Sequence, residues 1–157
     1  MRRVIVTMWV TLDGFISGPN DDMRWVRVDE AMGAYEDDLV SAADTLLLGR
    51  VTYQSFAGAW PAVPDNPAAS EGEKTYARKL NRMRKIVYST TLERAEWNNS
   101  TLLREIRPDD IVSLKNETGS NIVIYGSASI VQSLMAYGLI DEYQLLVHPI
   151  ALGGGKR

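Results

Sequence analysis

Three segments of the sequence place glycine or hydroxyl residues at the end of an apolar run, a pattern that can bind phosphate. They are Leu48-Gly49-Arg50, Tyr88-Ser89-Thr90 and Tyr125-Gly126-Ser127. If each run is a strand of a parallel sheet, its carboxyl end lies where ligands usually bind in such sheets. Glycine lets a phosphate approach the backbone, and a following helix offers free N–H groups to an anion. The segments therefore predict an anion-binding edge of the sheet.

Side chains beside the glycines extend this prediction. Arg50 could bind a phosphate through two hydrogen bonds, and Thr52, Ser89 and Thr90 could donate from their hydroxyl groups. Serine and threonine also end strands and cap helices without any ligand, and Arg50 could be an ordinary surface charge. Spacing alone favours this structural interpretation.

Two common phosphate-binding motifs are absent. The sequence has no G-x-G-x-x-G dinucleotide-binding pattern. Gly153-Gly154-Gly155-Lys156 is not a P-loop, because Ile150 stands where that motif needs glycine and Arg157 where it needs serine or threonine. We therefore expect neither a conventional dinucleotide-binding fold nor a P-loop.

Composition limits the class of protein. The chain has 157 residues, of which 45% are hydrophobic and 24% charged, and this fits a single domain with its own core. A net charge of -3 argues against nucleic acid or an anionic membrane as the main partner and favours a small molecule. The absence of cysteine and the single histidine exclude disulfides, thiolate zinc sites and multi-histidine metal sites. The basic, apolar start has no small-residue cleavage site, so we expect a cytoplasmic protein. We also expect that the protein needs no metal.

Apolar runs alternate with amphipathic segments along the whole chain, which predicts an α/β fold. Strands are expected near residues 4–10, 45–48, 85–89, 121–125 and 141–147. Helices are expected from Asp29, over 51–56 and 71–83, and after Ser129, where Ile130, Val131, Leu134 and Met135 form the buried face. Gly138 should close that last helix in the left-handed conformation. The secondary structure of residues 101–118 is not assigned to strand or helix, because Pro108 interrupts the segment.

These segments together resemble one family. Gly49-Arg50-Val51-Thr52-Tyr53-Gln54-Ser55 resembles the G-R-x-T-x-x-S segment of dihydrofolate reductases and of the C-terminal reductase domain of the bifunctional deaminase-reductase of riboflavin biosynthesis. The resemblance continues, in the family's order, through residues 11–16, 88–92, 126–128, 138–142 and 149–153. It implies a three-layer α/β domain over 1–157, with helices on both faces of a mostly parallel sheet. Homodimers are common in the family, so the resemblance also makes a homodimer possible for this chain. Relatives usually carry one or two further strands after the segment around Gly155.

The resemblance implies that the cofactor is NADPH. Gly49, Arg50 and Thr52 would lie at the cofactor phosphates, and Ser89 and Thr90 near the adenosine ribose and its 2'-phosphate. Four further cofactor residues would surround the pyrophosphate, namely Gly126, Ser127, Ala128 and Ser129. Asp13 would belong to a mobile loop beside the nicotinamide, although an aspartate there can also bond its own turn.

The implied reaction is reduction of a pteridine, a ribosylaminopyrimidine or a similar heterocycle, as in 5-amino-6-(5-phosphoribosylamino)uracil reductase. The chain departs from that reductase where Phe56-Ala57-Gly58 replaces an Asp-rich segment, Tyr125 replaces glutamate and Ser127 replaces a second glycine. True dihydrofolate reduction and non-catalytic nucleotide binding are the alternatives.

Reduction also needs a proton donor. In dihydrofolate reductases a carboxylate follows a loop tryptophan by a few residues. Trp25 precedes Asp29 and Glu30 by a similar interval, so the resemblance makes Asp29 the candidate acid, Glu30 its reserve and Trp25 a substrate contact. The competing interpretation makes Asp29 a helix cap, Glu30 a partner of the helix dipole and Trp25 a packing residue.

Overall fold

Six parallel strands form one sheet in the computed structural model, which describes all 157 residues. The strands are β1 (Val4–Thr11), β2 (Ala43–Gly49), β3 (Arg84–Tyr88), β4 (Ser100–Leu103), β5 (Asn121–Tyr125) and β6 (Glu142–His148). Their spatial order is β4-β3-β2-β5-β1-β6, and every neighbouring pair is parallel. The mostly parallel sheet expected from the resemblance is confirmed.

Five helices cover the two faces of this sheet. They are α1 (Glu30–Ser41), α2 (Arg50–Ala59), α3 (Glu71–Arg82), α4 (Pro108–Asn116) and α5 (Ala128–Ala136). Buried residues of α1, α2 and α3 form one core cluster, and those of α4 and α5 form a second cluster on the other face. The three-layer arrangement is therefore confirmed. No helix has both the length and the apolar character that a membrane span requires.

The central strands are apolar throughout because both of their faces are covered. In β2, Leu46 and Leu48 pack into the first cluster and Leu47 into the second, and all three are fully buried. Side chains of a strand alternate between faces, so a strand between two helical layers needs an apolar residue at every position. This explains the uninterrupted apolar runs of the sequence.

Local signals set the helix ends. Asp29 caps α1, as predicted, by accepting a hydrogen bond from the backbone of Met32 at 2.8 Å. Ser70 and Glu73 form a reciprocal capping box that starts α3. Gly138 has the expected positive φ of 65° after α5. Met135 was expected in the buried face of α5 and is 52% exposed, because it lies on the outer side of the helix.

Residues 101–118, which the sequence left unassigned, contain parts of a strand and a helix. β4 pairs with β3 at the edge of the sheet, and α4 begins at Pro108, which occupies the first turn, where its missing N–H costs no hydrogen bond. The other edge strand, β6, exposes Tyr143, Leu145 and Val147. These three side chains share a face, since they pair in register with alternate residues of β1. No helix covers that face.

Candidate functional site

A cavity of about 970 Å³ opens at the carboxyl ends of the strands. Its volume falls in the range typical of small-molecule sites. All nine predicted cofactor residues line it, namely Gly49, Arg50, Thr52, Ser89, Thr90, Gly126, Ser127, Ala128 and Ser129. The fold brings them together because β2, β3 and β5 lie next to one another and end at the same edge. We refer to residues 49–52, 89–91 and 126–129 as the glycine end of the cavity.

Ser127 joins two strand-to-helix junctions at the glycine end. Its Oγ accepts a hydrogen bond of 2.7 Å from the backbone N–H of Gly49 and lies 3.3 Å from the hydroxyl of Thr52. A Cβ on Gly49 would lie 3.0 Å from this oxygen, so the close approach favours glycine there. Gly126 has a φ of 64° and open space where a Cβ would stand. The N-termini of α2 and α5 therefore lie side by side and favour an anion.

The Ser127 contact yields a stability prediction. Replacing Ser127 with alanine leaves the N–H of Gly49 without this acceptor and should lower the free energy of unfolding by about 1 kcal/mol. Ser129→Ala is the matched control, because the exposed Ser129 contributes only its backbone carbonyl to the hydrogen bonds of α5. Urea denaturation of both variants measures the difference. Equal stability of the two variants would contradict the structural role of the Ser127 hydroxyl.

Arg104 is a lining residue that the sequence reasoning missed. It follows the last residue of β4 and donates from Nη1 to the carbonyls of Ser89, at 3.0 Å, and Leu92, at 2.5 Å. Ser89 Oγ in turn accepts from the backbone of Leu92 at 2.9 Å, so this loop is held from two directions. The hydroxyl of Thr90 remains exposed at the cavity. An arginine directly after a strand was the available signal, but Arg104 lies in the segment where no strand could be assigned.

The other part of the cavity lies over β1 and β5, toward α1 and α3. We refer to it as the aromatic end, and it comprises Thr7, Trp9, Glu36, Phe56, Trp60, Tyr76 and Tyr125. The hydroxyls of Tyr76 and Tyr125 lie 3.1 Å apart. The ring of Phe56 packs on Tyr125 with centroids 5.1 Å apart, and that of Trp60 meets Tyr76 at 4.8 Å. This surface suits a flat ring, because aromatic side chains offer large apolar contact areas.

Glu36 is the one carboxylate at the aromatic end. It is half-buried and makes no hydrogen bond or ion pair, and burial raises its pKa above the usual range for glutamate. Burial also raises the pKa of Tyr76 and Tyr125, and the nearby Glu36 carboxylate raises both further. On the neighbouring α3, Lys79 is paired with Asp37 at 2.6 Å. A half-buried, unpaired carboxyl in a cavity is typical of a group that handles protons.

The structure does not bring Asp29 or Glu30 to the cavity. The Asp29 carboxylate caps α1, and Glu30 is exposed in the first turn of that helix. Glu36, nearly two turns further along α1, lines the cavity instead. Sequence reasoning missed it because no local pattern shows which side of α1 faces the sheet at the cavity.

Trp25 also lies away from the cavity lining. It is 7% exposed, its Nε1 donates to the carbonyl of Asp22 at 3.1 Å, and its ring meets His148 edge-on at 5.1 Å. These surroundings agree with the interpretation of Trp25 as a packing residue.

Asp13 organises a loop and does not line the cavity. Its carboxylate accepts hydrogen bonds from the Thr11 hydroxyl at 2.6 Å, from the backbone of Gly153 at 2.8 Å and from that of Leu152 at 3.2 Å. These bonds, above all those from Thr11 and Gly153, lower the pKa of Asp13 to about 2. Asp13 thus joins the loop after β1 to the segment after β6. That loop continues to Ser17, which does line the cavity.

The lowered pKa of Asp13 predicts a pH-dependent loss of stability. A depressed pKa stabilises the fold above the unfolded-state value, and this stabilisation is lost as the pH falls from about 4 toward 2. Asp13→Asn should therefore lower the melting temperature at pH 7, and the difference from the unmodified protein should shrink toward pH 3. Asp65→Asn, at an aspartate with no side-chain hydrogen bond, is the control. Thermal denaturation that shows no difference for Asp13→Asn at pH 7 would contradict the role of Asp13.

Comparison with known proteins places these features in a family. Residues 2–157 match the family described as the RibD C-terminal domain. The uncharacterized protein YyaP of Bacillus subtilis strain 168 is 32% identical over 155 residues, 99% of this chain and 79% of the relative. The uncharacterized protein YwjB of the same strain is 29% identical over 156 residues, 98% of this chain and 80% of that protein.

A solved structure supports the same assignment of the fold. The crystal structure of a "Putative riboflavin biosynthesis protein" from Shewanella sp. PV-4 superposes with a TM-score of 0.67 at 23% identity, covering 98% of this chain and 81% of that one. At this identity the likeness shows the fold alone. Together with the family match along nearly the whole sequence, it confirms the dihydrofolate-reductase-like resemblance: the chain belongs to the RibD C-terminal domain family.

Proposed function

We propose that this chain is an NADPH-dependent reductase of a heterocyclic substrate. The proposal rests on one observation. A single cavity contains both the glycine end, which suits an anion, and the aromatic end, which holds an unpaired carboxyl. Membership of the RibD C-terminal domain family supports a reductase.

The donor set at the glycine end fits the phosphates of NADPH. Two neighbouring helix N-termini, the Arg50 guanidinium and the Thr90 hydroxyl offer donors, and Gly126 leaves room for close approach to its backbone. A second groove of about 1020 Å³ shares Arg50 and Thr91 with the cavity and gives space for a long ligand such as a dinucleotide. Arg104 holds the loop between these two spaces.

The aromatic end fits a ring that accepts a hydride and a proton. When bound, NADPH supplies the hydride that reduces a C=N or C=O bond. Glu36 then provides the proton that completes the reduction, directly or through one water, because it is the carboxyl at the aromatic end and burial raises its pKa. Phe56 and Trp60 provide apolar walls for this ring, and burial raises the pKa of the Tyr76 and Tyr125 hydroxyls, which therefore stay neutral.

Single-turnover oxidation of NADPH tests the proposal. The protein is mixed with NADPH and with dihydropterins or ribosylaminopyrimidines, including dihydrofolate and 5-amino-6-(5-phosphoribosylamino)uracil. We expect at least one compound to be reduced in step with NADPH oxidation. Preferred turnover of dihydrofolate would identify the first alternative. Tight NADPH binding without oxidation by any compound would instead favour a non-catalytic nucleotide-binding protein.

We also propose that the chain forms a homodimer through β6. The apolar face of Tyr143, Leu145 and Val147 supports this, because an exposed apolar edge strand is an association surface. Sedimentation equilibrium should show a dimer that Leu145→Lys converts to monomer. Val112→Lys, at an exposed apolar residue of α4, should leave the dimer intact. A monomer at every concentration of the unmodified protein would contradict this proposal.

A further inference from the structure

A series of hydrogen bonds runs from the outer part of β6 to the aromatic end of the cavity. At its outer end, Arg3 donates to the carboxylate of Glu142. Gln144 Nε2 donates to the same carboxylate at 2.5 Å. The Tyr35 hydroxyl lies 2.5 Å from Gln144 Oε1 and 2.9 Å from Thr7 Oγ1. Thr7 is the inner end of the series, and it lines the cavity.

The fold places these groups side by side. Thr7 and Gln144 are paired in register on β1 and β6, and the Tyr35 hydroxyl of α1 contacts both side chains. Thr7 lies on the same face of β1 as Ile5, which belongs to the core cluster under α1, because side chains alternate along a strand. Thr7 is only 5% exposed, so its hydroxyl depends on fixed partners rather than on bulk water.

The charge of Glu142 sets the direction of the outer hydrogen bonds. The bonds from Gln144 and Arg3, together with the Arg3 charge, lower the pKa of Glu142. The group is therefore an ionised carboxylate, which can only accept hydrogen bonds. Gln144 must turn its amide NH₂ toward Glu142, and this leaves its carbonyl oxygen facing Tyr35.

The direction of the inner hydrogen bonds follows from this orientation. The carbonyl oxygen of Gln144 carries no hydrogen, so the Tyr35 hydroxyl donates to it. Burial raises the pKa of Tyr35, and its hydroxyl keeps the proton that it donates. Because this proton is used, Tyr35 can only accept from Thr7. A hydroxyl has one proton, so Thr7 Oγ1 has only lone pairs to offer a ligand.

An acceptor of fixed direction discriminates between ligand groups. A ligand N–H that faces Thr7 gains a hydrogen bond, whereas a ligand carbonyl there would bring two acceptors into contact. A threonine hydroxyl without such fixed neighbours rotates to suit either group. The mismatch is costly in a buried site, because the ligand oxygen loses its water and gains no partner.

We propose that Thr7 is a specificity-determining residue that accepts a hydrogen bond from an N–H group of the substrate, and that Tyr35 and Gln144 are positioning residues that hold its hydroxyl in this direction. The inference rests on the proposed function, because it takes the ligand of the aromatic end to be the heterocycle that is reduced. It names the substrate class as rings with an amino group at the edge that faces β1, in preference to rings with an oxo group there.

Two pteridines that differ at one exocyclic position test this preference. Protein saturated with NADPH is titrated with 2-amino-4-oxopteridine and with 2,4-dioxopteridine, at a pH where both rings are neutral. The amino compound should bind at least about tenfold more tightly, because it gains a hydrogen bond where the dioxo compound meets a second acceptor. Thr7→Val keeps the shape of the side chain and removes the acceptor, so it should bring the two affinities within about threefold.

Variants of the positioning residues separate direction from packing. In Gln144→Met the Tyr35 hydroxyl loses its acceptor and is free to donate to Thr7, whose own proton can then turn toward an oxo group. The dioxo compound should bind more tightly, and the preference should fall to within about threefold. Tyr35→Phe should have the same effect on the preference while it keeps the packed ring. Gln132→Met, at an exposed residue of α5 outside the cavity, is the matched control and should keep the full preference.

The remaining outcomes contradict the inference or the proposed function separately. Equal binding of the two pteridines by the unmodified protein, tighter binding of the dioxo compound, or binding of neither would overturn the inference. An unchanged preference in both Gln144→Met and Tyr35→Phe would overturn it as well. NADPH affinity is measured first for each protein and should stay within about twofold in all four variants, which also shows that they are folded. Failure of the unmodified protein to bind NADPH would contradict the proposed function itself.

Discussion

Replacing Glu36 with glutamine is expected to lower the single-turnover rate of NADPH oxidation by about 100-fold at neutral pH, with little change in NADPH affinity. The amide preserves the shape of the side chain and removes the proton, and a positioned acid typically contributes 10²–10⁴-fold. In the unmodified protein the rate should fall as the pH rises through the raised pKa of Glu36. The variant should lack this dependence. Stopped-flow measurements across pH provide both readouts.

The same substitution at Glu30 discriminates between the two candidate acids on α1. Glu30 is exposed and lies outside the cavity, so Glu30→Gln should change the rate by less than about twofold. A large loss at Glu30 together with a normal rate for Glu36→Gln would support Glu30, the reserve acid inferred from the sequence, and contradict the role of Glu36.

Stability provides an independent check on Glu36. Because its pKa is raised in the folded protein, the folded state binds this proton more tightly than the unfolded state does. The contribution of Glu36 to stability is therefore complete at low pH and lost as the pH rises through the folded-state pKa. Glu36→Gln should remove this loss, so the variant should melt no lower than the unmodified protein once the pH exceeds the folded-state pKa of Glu36.

Replacing Arg50 with alanine is expected to weaken NADPH binding by about 10- to 100-fold, as hydrogen bonds to a charged group contribute roughly 1.5–3 kcal/mol. Arg50 is exposed at the glycine end, and its partner in the protein is the neutral Gln54, at 3.2 Å. Its guanidinium is thus available to a phosphate. Binding of NADH should weaken much less if Arg50 meets the 2'-phosphate. Isothermal titration with both nucleotides measures this ratio.

Two matched variants separate charge from geometry at this position. Arg27→Ala removes the same charge from an exposed residue outside the cavity and should leave both affinities unchanged. Arg50→Lys keeps the charge but not the planar pair of donors, so it should restore NADPH binding only in part. Equal losses of NADPH and NADH affinity in Arg50→Ala would contradict a role at the 2'-phosphate.

The parts of the fold that the sequence predicted are those whose signals are local. β5 has the predicted bounds of 121–125, because Asn121 is followed by a four-residue apolar run and then at once by Gly126. α3 follows from the helical spacing of Tyr76, Leu80 and Met83, and in the structure it runs over Glu71–Arg82. The glycine end was predicted for a related reason, since the end of each strand could be located and parallel strands end together.

The features that the sequence did not reveal depend on distant pairs of residues. The bond between Ser127 and Gly49 joins positions 78 residues apart, and no periodicity reports it. Glu36 reaches the cavity only through the way α1 packs on β1 and α3, whereas the cap at Asp29 is a local signal and was recognised. The position of Arg104 at the cavity depends on the pairing of β4 with β3. The segment of β4 has too few apolar residues for a strand to be identified from the sequence.

Binding of NADPH to the unmodified protein tests the central claim most directly. Isothermal titration should show one site per chain that prefers NADPH to NADH. At about 100 times the dissociation constant, NADPH should stabilise the fold by about 2.7 kcal/mol and raise the melting temperature by about 5–10 °C. Absence of both heat and a thermal shift at about 1 mM NADPH, where even a weak specific site would be half filled, would contradict the account.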